Sequence, residues 1–281
     1  MRPQPTTLFL SLLVVLFAIG STSCDLINPE EQIPSFIRID SISPVLDGDT
    51  QVVHEIVDAW VYDNEKLVGV YEMPATVPIL RDGQANIRIR PGVKLNGLAA
   101  SRWKYEFLED FSEDVELFED SVISLNPILR YRENAVIPWS EDFSSSSVEL
   151  TLSSISQGSL LFSNGVANLH LSAGESLFEC KSTVSPDLPD AGASVILEFR
   201  YKCDHEFRIS LISESSFSTV QTPVYLVSPS EDWNYLYINL SGAVSSLIGY
   251  NEHAPAFGFV RADGYENDIN VYLDNIRLIH F

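Results

Sequence analysis

The residues of this chain whose types could do chemistry are aromatic rings set beside amides and carboxylates. The sequence holds 4 Trp, 11 Tyr and 15 Phe. Exposed rings stack on sugar rings, and neighbouring Asp, Asn or Glu side chains take the hydroxyls. Trp103 lies in Ser101-Arg102-Trp103-Lys104-Tyr105, a segment suited to a surface. Tyr250 and Asn251 open Tyr250-Asn251-Glu252-His253, and Tyr265 lies in Asp263-Gly264-Tyr265-Glu266-Asn267-Asp268. Trp103, Tyr250, Asn251 and Tyr265 are therefore the candidate ligand-binding residues, with a glycan as the ligand. Ordinary loop composition explains the two tyrosine segments equally well. Trp60 and Trp233 fall inside strand-like runs and are expected in a core.

Catalytic chemistry finds no such foothold. There is no Gly-x-Ser-x-Gly elbow and no glycine-rich phosphate loop. His54, His170, His205, His253 and His280 are scattered, without metal-ligand spacing. Carboxylates are too numerous for any pair to be singled out as a glycosidase acid and base. A non-enzyme is expected.

Charge narrows the partners. Lys plus Arg number 17 against 39 Asp plus Glu, a formal net charge of −22, and 45% of the chain is hydrophobic. That acidity argues against nucleic acid, which needs clustered cations, and the hydrophobic content excludes a disordered acidic tail. Between Lys104 and Arg130 stand Glu106, Glu109, Asp110, Glu113, Asp114, Glu116, Glu119 and Asp120, with no intervening Lys or Arg. Phe107, Leu108, Phe111, Val115, Leu117 and Phe118 interleave with them, as on a strand with one solvated face. Such a patch favours a basic protein surface as partner.

The elements that must position these residues begin after an export signal. Arg2 precedes an apolar stretch from Leu8 to Gly20, too short to span a bilayer comfortably. Ser21-Thr22-Ser23-Cys24 then resembles a bacterial lipobox, with Ser where many carry Leu. Residues 1–23 are accordingly a lipoprotein signal peptide, Cys24 the lipidation site and 24–34 a tether. The alternative is ordinary cleavage of a secreted protein. Lipidation would place the protein at the bacterial outer membrane, with the face undecided.

Beyond the tether, helical periodicity is nearly absent. Short β-branched and aromatic runs alternate with Gly, Pro, Asn, Asp and Ser clusters, which predicts an all-β protein. Phe36–Ile42, Ile56–Tyr62, Leu67–Tyr71, Ile87–Arg90, Val195–Tyr201, Phe207–Ile212, Leu236–Leu240, Phe257–Val260 and Val271–Ile279 are such runs. A boundary near 130–138 divides residues 35–133, sized for an immunoglobulin- or transthyretin-like β-sandwich, from 134–281, sized for a jelly roll.

Two resemblances sharpen this division. Ala59–Tyr71, Met73–Leu80, Asp82-Gly83 and Ile87–Gly92 together resemble the pattern of PEGA-like and carboxypeptidase-regulatory-like modules, which are β-sandwich spacers. Pro138–Phe143, Ser230–Leu240 and Val271–Ile279 resemble carbohydrate-binding-module jelly rolls of the galactose-binding-like type. The whole is similar to uncharacterised two-domain lipoproteins of the Bacteroidetes. In the related jelly rolls, acids on the first and last strands hold a structural Ca²⁺. Glu141, Asp142 and Asp274 occupy matching positions, so the resemblance implies Ca²⁺ there, with backbone carbonyls or water completing the shell. Otherwise Asp274-Asn275 is a polar strand kink and Glu141 a solvated edge.

Cys180 and Cys203 remain after lipidation, in a chain that leaves the reducing cytoplasm. A disulfide is permitted. However, a hairpin centred on Pro186–Pro189 sets Cys180 opposite about residue 195, so the thiols would need another strand pairing to meet; otherwise they are small buried hydrophobes. The reading that emerges is a non-catalytic cell-envelope lipoprotein acting as a binding or accessory module for glycans. The alternative is a structural subunit of an outer-membrane assembly that binds protein partners.

Overall fold

The computed structural model describes residues 31–46, 50–189 and 192–281. Cys24 and the signal segment lie outside the described residues. The protein is all-β, a β-sandwich followed by a jelly roll. Strands of the first part are β1 (Ser35–Ile39), β2 (Ser43–Leu46), β3 (Thr50–Gln51), β4 (Asp58–Asp63), β5 (Lys66–Glu72) and β6 (Ala75–Ile79). They continue with β7 (Gly83–Lys94), β8 (Arg102–Lys104), β9 (Phe111–Leu117), β10 (Val122–Leu125) and β11 (Ile128–Arg130). One layer has the order β5-β4-β7, and β9 and β8 pair with successive parts of β7. Facing it are two three-stranded sheets, β10-β1-β6 and β11-β2-β3. On β7, Ala85, Ile87 and Ile89 are buried and alternate with Asn86, Arg88 and Arg90. This is the period of two that a half-solvated strand requires. Ile37, Ile39, Val61, Phe107 and Leu117 complete this core.

The second part comprises β12 (Val136–Glu141), β13 (Leu150–Leu152), β14 (Ser159–Ser163), β15 (Val166–Leu171), β16 (Leu177–Ser182) and β17 (Val195–Cys203). After these come β18 (Phe207–Glu214), β19 (Thr219–Val227), β20 (Ser230–Asn239), the short α1 (Ser241–Ser245), β21 (Glu252–Val260) and β22 (Ile269–His280). One sheet runs β14-β15-β22-β17-β20, with β12 also on β22; the other runs β13-β16-β21-β18-β19. The chain passes repeatedly from one sheet to the other, and both inner faces meet in a core that includes Phe178, Phe199, Phe207, Phe257 and Leu273.

That alternation corrects the hairpin expected around Pro186–Pro189. The segment is a crossover between sheets, because β16 pairs with β13 and β21 while β17 pairs with β20 and β22. Cys180 consequently lies opposite Leu152 and Phe257, and Cys203 opposite Ser230 and Val271. Both are buried and unbonded. Burial raises the Cys180 thiol well above its ordinary pKa and raises Cys203 to about 11. Their role in the structure is that of small core hydrophobes.

The two parts share a face. Ile196, Tyr235, Tyr237 and Ile279 belong by strand to the jelly roll but pack into the core of the first sandwich. The turn after β7 grips β20 as well: the Asn96 N–H donates to the Tyr237 carbonyl at 2.8 Å, and Asn239 N–H donates to Asn96 Oδ1 at 3.0 Å. Asn96 (φ 54°) and Gly97 (φ 66°) both adopt the left-handed conformation that this turn needs.

Candidate functional site

The outward face of the sheet β14-β15-β22-β17-β20 carries the polar chemistry of the jelly roll. On β17, Val195, Leu197, Phe199, Tyr201 and Cys203 point into the core, which turns Ile196, Glu198, Arg200 and Lys202 outward. On β22 the outward series is Asn270, Tyr272 and Asp274, then Arg277 and Ile279. The register against β17 shifts by one residue there, since Arg200 pairs with Asp274 while Glu198 pairs with Arg277. Asn275, with φ 49°, is the residue at which the chain absorbs the shift. Without the bulge, Arg277 would turn into the core, because one residue of slip exchanges the two faces of a strand.

The first sandwich covers one half of this face. Beneath it, the Glu198 carboxylate accepts from Arg277 Nη1 at 2.7 Å and from the Tyr105 hydroxyl at 3.0 Å. Arg277 also donates to the Tyr235 hydroxyl at 3.2 Å and to the Val53 carbonyl at 2.9 Å. His54 completes the cluster, its Nδ1 2.6 Å from the Tyr237 hydroxyl and its Nε2 2.9 Å from that of Tyr131. The Tyr237 oxygen also accepts from the Glu55 N–H at 3.0 Å. The side chains of His54, Glu198 and Arg277 are 1%, 0% and 5% exposed. Burial therefore dominates: it lowers His54 to a pKa of about 4, Glu198 opposing and Arg277 assisting. Burial is also the largest single influence on Arg277 and opposes its charge, but Glu198 together with Tyr235 and Tyr131 raises its pKa on balance.

The other half is open. Leu161 pairs with Asn168, Asn168 with Tyr272 and Tyr272 with Lys202, on four neighbouring strands. Trp233 of β20 closes the row, with Lys202 Nζ 5.5 Å from its ring and 4.9 Å from that of Tyr272. The Arg200 guanidinium lies 4.8 Å from the same indole. A cleft of ≈ 410 Å³ follows this row. Trp233 and Tyr272 stand two strands apart, about 10 Å at the usual strand spacing. Between them lies a cation, and beyond Tyr272 an amide, so the face offers ring surface and hydrogen-bond donors side by side.

Solved carbohydrate-binding modules are among the structures this chain resembles. A mutant of a carbohydrate binding module of family 29 is 13% identical, with TM-score 0.35 over 52% of this chain and 90% of that one. A CBM29-2 mutant complexed with mannohexaose is 15% identical, with TM-score 0.35 over 53% and 92%. Another CBM29-2 mutant, complexed with cellulohexaose, is 14% identical, with TM-score 0.33 over 52% and 89%. No family model matches the sequence, and no curated protein does.

The residues singled out from the sequence are not brought together. Trp103 stands on β8 of the first sandwich, edge-on to Tyr105 and Phe107. Tyr250 precedes β21, its hydroxyl 3.0 Å from Ser218 Oγ, and the Asn251 N–H donates to the Glu214 carbonyl. Tyr265 follows β21, edge-on to His205. Nine strand residues separate Tyr250 and Asn251 from Tyr265's loop, about 30 Å, so these residues do not share one cleft.

Trp60 and Trp233, expected in cores, are only half-buried and face outward beneath cations. In each strand the core positions go to the alternating partners, Ala59 and Val61 in one, Leu236 and Ile238 in the other. The signal that could have found Trp233 is its phase with Tyr235 and Tyr237.

The carboxylates expected to hold Ca²⁺ are engaged with backbone and side-chain groups. The Glu141 carboxylate is 5% exposed and accepts the backbone N–H groups of Phe143 and Glu149, both at 2.9 Å. Asp142 accepts from the backbone N–H and hydroxyl of Ser144. Asp274 lies in the bulge, its pKa raised by burial and, less strongly, by Asp142. Among the described residues no three metal-ligating side chains gather. Glu141 and Asp142 secure a turn, and Asp274-Asn275 is a strand irregularity.

Along β9, Glu113, Asp114 and Glu116 are exposed while Val115 and Leu117 are buried, so the acidic stretch there is a solvated strand face. Asp110 departs from it. Half-buried, it accepts from Arg90 Nε at 2.7 Å and from Arg132 Nη2 at 3.0 Å.

Proposed function

We propose that the protein is a non-catalytic glycan-binding module whose ligand lies on the open half of the outward jelly-roll face. The observation that carries this is the row Trp233–Lys202–Tyr272–Asn168, which sets two aromatic rings and an ammonium along one cleft. Indole and phenol rings offer apolar faces to sugar C–H surfaces, and the ammonium donates to hydroxyl oxygens, while the Asn168 amide nitrogen donates to Asn270 Oδ1 at 3.1 Å. The first sandwich already covers the rest of the face, so the platform suits a short stretch of saccharide. Cys24 and its lipobox-like context support an envelope address, with the first sandwich as the spacer between anchor and module.

Affinity electrophoresis of the full chain in gels containing neutral β-linked glucans and mannans tests the proposal. Wild-type protein is expected to be retarded by at least one of these polymers, and Trp233→Ala to lose at least tenfold in affinity while keeping its thermal midpoint. Retardation by none of the polymers, or undiminished in Trp233→Ala, would remove the assignment.

A further inference from the structure

The first sandwich carries a second, electrostatically different cleft. It has a volume of ≈ 570 Å³ and lies along the outward face of β7 and β8, where Phe281 reaches across from the end of the jelly roll. In a chain with a net charge of −22, four cations line it (Arg90, Arg102, Lys104 and Arg132) against only two carboxylates, Glu106 and Asp110. Arg102 is held by Asp58 at 2.7 Å and Glu72 at 3.2 Å, which leaves Arg90, Lys104 and Arg132 against Glu106 and Asp110, a small positive excess in an otherwise acidic molecule.

Away from Arg102, carboxylates are fewer than cations. Asp110 alone serves Arg90 and Arg132, and Arg88 Nη1 comes within 4.0 Å of it. Arg90 meets Asp110 through Nε, an arrangement that raises its pKa and holds it charged. A guanidinium has five N–H groups in a rigid fork, so a second planar acceptor can be taken by the same side chain. Lys104 has no carboxylate partner among the described residues. Its ammonium rests 4.5 Å from the Trp60 ring and 5.8 Å from that of Tyr62. The Trp60 Nε1–H, buried in the same wall, finds no acceptor among the described residues. Gly92 lets this indole lie against β7, since a Cβ there would come within 2.8 Å of Nε1.

We infer that this cleft binds a carboxylate-bearing saccharide, of the uronic acid class. Lys104 and Arg90 take the carboxylate, and Trp103 with its aromatic neighbours forms the apolar wall against the sugar ring. The site is separate from the jelly-roll platform in position and in charge preference. It does not depend on that platform binding anything.

Isothermal titration of the full chain with trigalacturonate, its neutral counterpart galactotriose and inorganic sulfate provides the test. Trigalacturonate is expected to bind, galactotriose to bind at least tenfold more weakly, and affinity to fall as salt rises. Lys104→Gln, which breaks no ion pair, and Arg90→Gln are each expected to weaken trigalacturonate at least tenfold. Trp233→Ala is expected to leave that binding in place while removing neutral-glycan retardation, so failure of either site is seen separately. Absence of trigalacturonate binding overturns the inference, as does binding indifferent to Lys104→Gln and Arg90→Gln. Sulfate binding as tightly as trigalacturonate overturns it too, leaving an adventitious ion only.

Discussion

The covered and open halves of one sheet face use similar side chains for opposite ends. Under the first sandwich, Tyr235, Tyr237 and Arg277 meet Glu198 and His54 and are sealed from water. A few residues along the same strands, Trp233, Arg200, Lys202 and Tyr272 meet no covering layer and stay half-exposed. In the covered half His54, Tyr105, Tyr237, Glu198 and Arg277 bond to other protein groups, because a buried polar atom without a partner costs free energy. In the open half, Lys202, Trp233 and Tyr272 are half-exposed, so water at their surfaces can give way to a ligand. The lesson is that the first sandwich, not the residue types, decides which part of the face is joint and which is surface.

The largest effect expected to separate the halves comes from removing one member of the buried ion pair. Glu198→Ala strands Arg277 in a dry site and should cost about 3–5 kcal/mol in urea unfolding. Lys202→Ala, on the same strand in the open half, should change stability by less than about 0.5 kcal/mol. Equal losses for the two variants would erase the distinction.

Acid should act on the covered half through His54. His54 has a folded pKa of about 4 against an ordinary 6.5, so the unfolded chain takes up the proton first. Stability is intact above about pH 6.5 and is lost as pH falls towards 4, by on the order of 3 kcal/mol. His54→Gln keeps a donor and an acceptor but cannot titrate. The difference between variant and wild-type stability should therefore shrink or reverse on acidification across that window. A pH-independent difference would contradict the buried, neutral imidazole.

A smaller effect is expected where the two halves meet. Asn275, at φ 49°, holds the bulge that brings Arg277 back into outward phase. Asn275→Val should cost about 1–2 kcal/mol, the penalty of a side chain with a branched Cβ in the left-handed region, and Asn275→Gly only a few tenths. If valine is tolerated as well as glycine, the bulge is not what sets the phase.

Much of the fold was legible from local pattern. Alternation in Val195–Lys202 gave both the strand and its inward residues, and the Asp274-Asn275 kink was one of two readings of that dipeptide. The candidate site was less legible. Trp233 was assigned to a core because indoles in strands usually lie there, and its phase with Tyr235 and Tyr237 became informative only once the first sandwich was seen to cover the latter two. Tyr250 and Tyr265 looked alike as loop aromatics, yet β21 holds them at its opposite ends. The cysteines were placed by assuming that neighbouring strands pair, which fails wherever a jelly roll crosses between its sheets.

The sequence by itself determined the element type, since side-chain alternation and turn chemistry act within a few residues. It determined the acidic balance and the absence of recognisable catalytic motifs in the same way. Only the tertiary structure decided where the chemistry lies. Glu198 and Arg277 are 79 residues apart, Tyr105 and Glu198 are 93, and the cations of the second cleft come from separate strands and loops around β7. Charges and rings act through space at a few ångströms. Strand pairing across long stretches of chain is what sets those distances.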